Sequence, residues 1–162
     1  GPDVTPGTCD TPVNLIDLSV TIADHFGTTI SADHSARSLP DIAQDEPDPD
    51  RIVFSEYHAV GALSGAFMVR QGRWKLNHYV GFEDELFDLE ADPEETMNRA
   101  GEAEAAEIQA RLHIALRDIC DPQAVNEQAF ADQADLIARF GGRDAAISIG
   151  APGATPPPEP RQ

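Results

Sequence analysis

The chain has 162 residues, 41% of them hydrophobic, which is enough to enclose one core of ordinary size with an additional tail. With 29 acidic against 11 basic residues its formal charge is −18, and repulsion from a phosphate backbone excludes nucleic acid as a partner. No apolar stretch is long enough to span a bilayer, so no membrane partner is expected.

The acidic residues are spread along the chain, the pattern of a solvated surface, and Lys75 is the only lysine, a balance suited to a salty medium. Cys9 and Cys120 lie far apart and lack the close Cys or His spacing of a structural zinc site, so a reduced pair is expected. The sequence opens on Gly1-Pro2 rather than Met and carries no cationic leader. It reads as a chain that begins partway through a larger protein, with the compartment open and the cytoplasm as default.

In chain order, Val13, Ile16, Val20 and Ala23 recur at helical spacing and Gly27 supplies a stop, which predicts a helix over about 14–26. Residues 28–50 contain Pro40, Pro47 and Pro49 among many Asp and are expected to form a linker. From Arg51 the pattern shortens to extended runs. Ile52-Val-Phe-Ser-Glu-Tyr is β-prone, Ala66-Phe-Met-Val-Arg leads into Gln71-Gly72, and Arg73-Trp-Lys-Leu-Asn-His-Tyr alternates beyond that turn, giving a hairpin. Glu85-Leu-Phe-Asp-Leu adds a strand, and Asp92-Pro93 makes a turn after which Glu94-Glu95 suit a helix N-terminus.

Three or four antiparallel strands follow, with Phe54, Phe67, Trp74, Leu76 and Leu86 expected to face a covering helix. That helix is predicted between Glu102 and Ile119, where Ala105, Ile108, Leu112, Leu116 and Ile119 form a stripe. Pro122 opens a second helical run ending at Gly141-Gly142, and the Pro-rich residues 150–162 are expected to be a disordered tail. The fold class is therefore α+β: a small antiparallel sheet packed by a long helix, with flanking helices.

Four blocks carry a family resemblance. Val13-Asn-Leu-Ile-Asp-Leu-Ser-Val-Thr21 with Gly27 resembles the sulfatase segment Val-Asp-Leu-x-Pro-Thr and its following Gly, with Val20 in place of the Pro. Arg37-Ser38-Leu39 resembles Gly-Arg-Ser-Leu, with Ala36 in place of the Gly. Met68-Val-Arg-Gln-Gly-Arg-Trp-Lys75 then precedes Glu85-Leu-Phe-Asp-Leu-Glu-Ala-Asp-Pro-Glu-Glu-Thr-Met-Asn98, which is similar to Glu-Leu-Tyr-Asp-Leu-x-x-Asp-Pro-x-Glu-x-x-Asn. Ile119-Cys-Asp-Pro122 looks like the tail of choline-sulfatase-like bacterial members.

The resemblance implies the C-terminal subdomain of an α/β alkaline-phosphatase-like enzyme that hydrolyses sulfate esters with a formylglycine and a divalent cation, usually calcium. No Cys-x-Pro-x-Arg or Ser-x-Pro-x-Arg motif is present, and Asp24-His25-Phe26 and Asp33-His34-Ser35 only approach the family's metal segment. No catalytic residue or metal ligand is therefore assigned, and both formylglycine and calcium are expected in a catalytic part outside this chain. Residues 1–50 are read as the end of the catalytic domain and a linker, 51–120 as the C-terminal subdomain, 121–149 as a helical extension and 150–162 as the tail.

Glu56, Tyr57 and His58 end a strand where the chain enters a Gly-bounded loop, a placement that presents side chains at a cleft, and they are the candidate substrate-binding residues. Arg70, Arg73 and Lys75 have the charge to attract sulfate, but pairing with local carboxylates is the simpler expectation. The partners expected are the catalytic domain of the same parent chain and, through it, a small sulfate ester. The segment alone is expected to be inactive. The alternatives are a freestanding module that self-associates through the helix after Pro122, and a parent that is a phosphodiesterase or phosphonate hydrolase of the same superfamily.

Overall fold

A computed structural model of the chain describes residues 6–28, 30, 35–59 and 62–149. The chain forms two compact units, Gly1–Pro122 and Gln123–Gln162. The expected disordered tail, residues 150–162, lies outside the described residues, as do Asp33 and His34.

In the first unit, helix α1 spans Leu15–His25 and is followed by Gly27 at φ 65°, a left-handed position that glycine occupies without steric cost. A short helix α2, Leu39–Gln44, interrupts the stretch read as a linker. Pro40 does not break this helix, because it stands in the first helical turn, where its missing N–H costs nothing, and the Ser38 side chain accepts from the Asp41 N–H. Ile42, 2% exposed, is the apolar residue this turn buries.

Four strands, β1 Val53–Tyr57, β2 Ala66–Gln71, β3 Trp74–Tyr79 and β4 Glu85–Asp88, form an antiparallel sheet in the order β1-β2-β3-β4. The register pairs Phe54 with Val69, Val69 with Leu76 and Leu76 with Leu86, so these side chains share a face. Helix α3, Ala106–Ile119, packs on β2 and β3 after a 3-10 turn at Ala103–Ala105. Phe67, Val69, Leu76, Leu86, Leu112 and Leu116 are all at or below 1% exposure, each contributing roughly 1.5–3 kcal/mol of transfer free energy.

Three expectations are corrected. Trp74 is half-buried rather than a core anchor, because it starts β3 at the sheet margin, with the Arg73 guanidinium carbon 5.9 Å from its ring centroid. Ile119 is 45% exposed at the end of α3, beyond the buried Leu112, Ala115 and Leu116 of that helix. No helix begins at Glu94; residues 93–102 turn back on the sheet, with Glu95 at φ 55° and its carboxylate 2.6 Å from Lys75 Nζ.

The second unit consists, in its described part, of α4, which begins at Pro122 and runs to Arg139, and α5, Arg143–Ile149. Gly141 and Gly142, both at positive φ, separate them, where the stop was expected. No described helix is long and apolar enough to cross a membrane.

Candidate functional site

The end of β1 divides the three candidate residues between two faces. Glu56 pairs with Phe67 and so belongs to the α3-covered face, whereas Tyr57 pairs with Ala66 and belongs to the opposite one. Tyr57 lines a cavity of about 490 Å³ together with Ala62, Leu63, Ser64, Ala66, Tyr79 and Phe82. The wall is largely apolar and aromatic, and Tyr57, Leu63 and Phe82 are 51%, 80% and 58% exposed. The hydroxyl of the lining residue Tyr79 donates to Glu85 Oε2 at 2.8 Å, and Asn77 donates to the same oxygen at 3.1 Å. Burial, with the Glu85 carboxylate beside it, pushes the Tyr79 hydroxyl up to about 12.

His58 packs edge-on against Phe67, with ring centroids 5.3 Å apart, and its Nε2 lies 3.5 Å from Glu56 Oε2. Gly65 makes this packing possible: a Cβ there would stand 2.9 Å from His58 Cε1 and 2.9 Å from Phe67 Cε2. The structure therefore places Tyr57 at the cavity and pairs Glu56 with His58 behind it. Arg73 forms a two-point ion pair with Asp88 and a second with Glu90, and Lys75 pairs with Glu95, as the simpler expectation had it, whereas Arg70 Nε donates to the Gly72 carbonyl at 3.1 Å rather than to a carboxylate.

A second cluster escaped the sequence reading. His78 Nδ1 lies 2.8 Å from Asp84 Oδ1, His113 Nε2 lies 2.7 Å from Asp84 Oδ2, and Gln109 Nε2 donates to Oδ2 at 3.0 Å. Burial alone raises the Asp84 carboxyl, but the hydrogen bonds from His78, His113 and Gln109 outweigh it and hold the group below its ordinary value. His78 shares the inward parity of Leu76, and His113 follows the buried Leu112 on α3, which was the available signal. Their separation along the chain hid it.

The calcium that the sulfatase resemblance implies does not fit this cluster. That ion takes six to eight oxygen ligands, and a cluster with two imidazole nitrogens among its three donors does not fit it. Neither cysteine sits in a formylglycine motif.

Residues 4–121 match the family model for the C-terminal region of N-sulphoglucosamine sulphohydrolase. The chain is a sulfatase C-terminal region. Among curated proteins it is similar to a choline-sulfatase of Rhizobium meliloti, 32% identical over 74% of this chain and 23% of that protein. Among solved structures it is similar to a protein determined in complex with its substrate D-glucosamine-2-N,6-O-disulfate, with 25% identity, a TM-score of 0.55, and coverage of 72% of this chain and 24% of that one. It is also similar to a phosphonate monoester hydrolase from Silicibacter pomeroyi, with 26% identity, a TM-score of 0.53, and coverage of 67% and 25%. The chain thus spans about a quarter of the length of the relatives it matches.

The residues that carry the sulfatase resemblance prove to be ties within the fold. Asp17 bonds Arg51; Asp88 holds Arg73; the Asp92 carboxylate accepts from the Met97 N–H and the Thr96 hydroxyl; Glu95 holds Lys75. Asn98 Oδ1 accepts from the Leu86 and Ala100 N–H groups, and its Nδ2 donates to the Asp84 carbonyl. The motif of this sulfatase region encodes a turn and its attachments.

Proposed function

We propose that this region completes a sulfatase whose catalytic domain lies in the same parent polypeptide, and that the whole enzyme hydrolyses sulfate esters. The match over residues 4–121 carries this reading, since 74% of the chain aligns with only 23% of a choline-sulfatase and so joins it to a much longer enzyme. Sulfate-ester cleavage needs an activated nucleophile and charge stabilisation of the transferred group. The chain has no formylglycine motif, so in this reading calcium and formylglycine belong to the catalytic domain and the region alone is inactive. Residues 1–50 then close the catalytic domain, 51–120 form the C-terminal subdomain, and 121–149 extend it.

In this reading Tyr57, at the mouth of the aromatic cavity, contacts the organic part of the ester, and the Glu56–His58 pair with Phe67 fixes the strand end that presents it. An apolar wall suits the alcohol half of the substrate rather than the sulfate. The likeness to a phosphonate monoester hydrolase favours a second reading, a parent acting on phosphonate or phosphate esters. Self-association through α4 gains no support from the geometry. Assaying the complete parent with an aryl sulfate, a phosphate diester and a phosphonate monoester ranks the readings: dominant sulfatase turnover supports the first, and dominant diesterase or phosphonate turnover replaces it with the second.

A further inference from the structure

We propose that His78, Asp84 and His113 form a binding site for a divalent transition-metal ion of the zinc class, which fastens α3 to the sheet. The three donors come from three places in the fold: β3, the loop that follows it, and α3. Their ligand atoms all lie within 4.8 Å of one another. Two imidazoles and a carboxylate are a set that zinc accepts, with water in the fourth position.

The geometry requires small movements. A tetrahedron with metal–ligand bonds of about 2.0–2.1 Å has edges of roughly 3.3–3.4 Å. His78 faces Oδ1 of Asp84 and His113 faces Oδ2, so binding through one oxygen opens that N···O separation, 2.8 or 2.7 Å, by about half an ångström, while the other imidazole, its nitrogen within 4.8 Å, moves in toward the shared ion. Without metal each imidazole donates an N–H hydrogen bond to the Asp84 carboxylate, which accepts only. With metal the proton sits on the other ring nitrogen, Nε2 of His78 and Nδ1 of His113, and the freed lone pair binds the ion.

Two further observations favour a cation here. Among the described residues the hydrogen-bond partners of the Asp84 carboxylate are two imidazoles and an amide, with no lysine or arginine. Gln109 bonds the same carboxylate from the next turn of α3, the outer-shell support that ligating carboxylates use. The donor side chains are 14% to 25% exposed, sheltered yet open to an ion and one water.

The test uses the full 162-residue chain with Cys9 and Cys120 changed to Ser to remove thiol ligands, stripped with chelator and titrated with zinc by calorimetry. Cobalt(II) is titrated in parallel, because its visible absorption reports four-coordinate ligation. Expected are uptake of one ion per chain, a tetrahedral cobalt band, a raised melting temperature, and an affinity at least about tenfold weaker in Asp84→Asn and in His113→Gln. Melting of the metal-free variants shows whether each still folds, and should one fail, the cobalt band of the parent chain decides alone. Absence of saturable uptake, an octahedral cobalt spectrum, or unchanged affinity in folded His113→Gln overturns the proposal.

Discussion

The fully buried carboxylate of Asp17 meets the Arg51 guanidinium at two points, 2.8 and 2.9 Å, and so joins the first turn of α1 to the residue that leads into β1. The same carboxylate accepts from the Asn14 and Arg37 N–H groups, while Asn14 Oδ1 accepts from the Phe54 N–H. A helix terminus, a loop and the edge strand are thereby fixed by one anion.

Asp17→Asn is expected to cost about 3–5 kcal/mol, because it leaves a nearly buried guanidinium without its counter-charge. Burial raises the Asp17 carboxyl, but the bonds from Arg51, Arg37 and Asn14 outweigh it and hold the group below its ordinary value. A lowered folded value gives stability that is complete above the unfolded value and is lost as pH falls through the folded one. Denaturant titrations below about pH 4 should therefore show a shallower loss in the variant; an unchanged acid slope would contradict the assignment.

Gly65→Ala should destabilise by about 1–3 kcal/mol, since the new methyl meets His58 and Phe67 at 2.9 Å and one ring must move. His58→Ala in the same background should relieve part of that loss. Additive costs in the double variant would show that the two positions do not touch.

Trp74→Ala is expected to cost about 1–3 kcal/mol, less than Leu112→Ala at about 2–5, because the indole is half-buried and Leu112 is 0% exposed. Thermal melting of the pair gives the order directly. A larger loss at Trp74 would move the centre of the core to the sheet margin.

Tyr79 holds its proton to about 12 rather than 10.0. A raised folded value means that stability falls as pH rises from the unfolded value through the folded one. In Tyr57→Phe, tyrosinate absorbance reports Tyr79 alone and should have its midpoint near 12. A midpoint near 10 would mean that the bond to Glu85 is absent.

Much of this fold was legible because local signals agreed with one another. Alternation with Gly72 marked the β2–β3 hairpin, the stripe through Leu112 and Leu116 marked α3, and Gly27 marked the end of α1. What was missed depended on distance along the chain. Trp74 looked like core from its type, but its exposure follows from where β3 begins. Helix α2 was hidden by a proline that is disruptive in a helix interior and tolerated in a first turn. The Asp84 cluster unites residues from a strand, a loop and a helix, and no local pattern announces such a meeting.

In the proposed reading these residues support a reaction carried out elsewhere in a larger sulfatase. Steady-state turnover of an aryl sulfate by the purified 162-residue chain, beside the complete parent, tests it most directly. Turnover by the parent should weaken in KM or kcat on Tyr57→Ala with little change in melting, and the chain alone should show none. Sustained hydrolysis by the chain alone would contradict it.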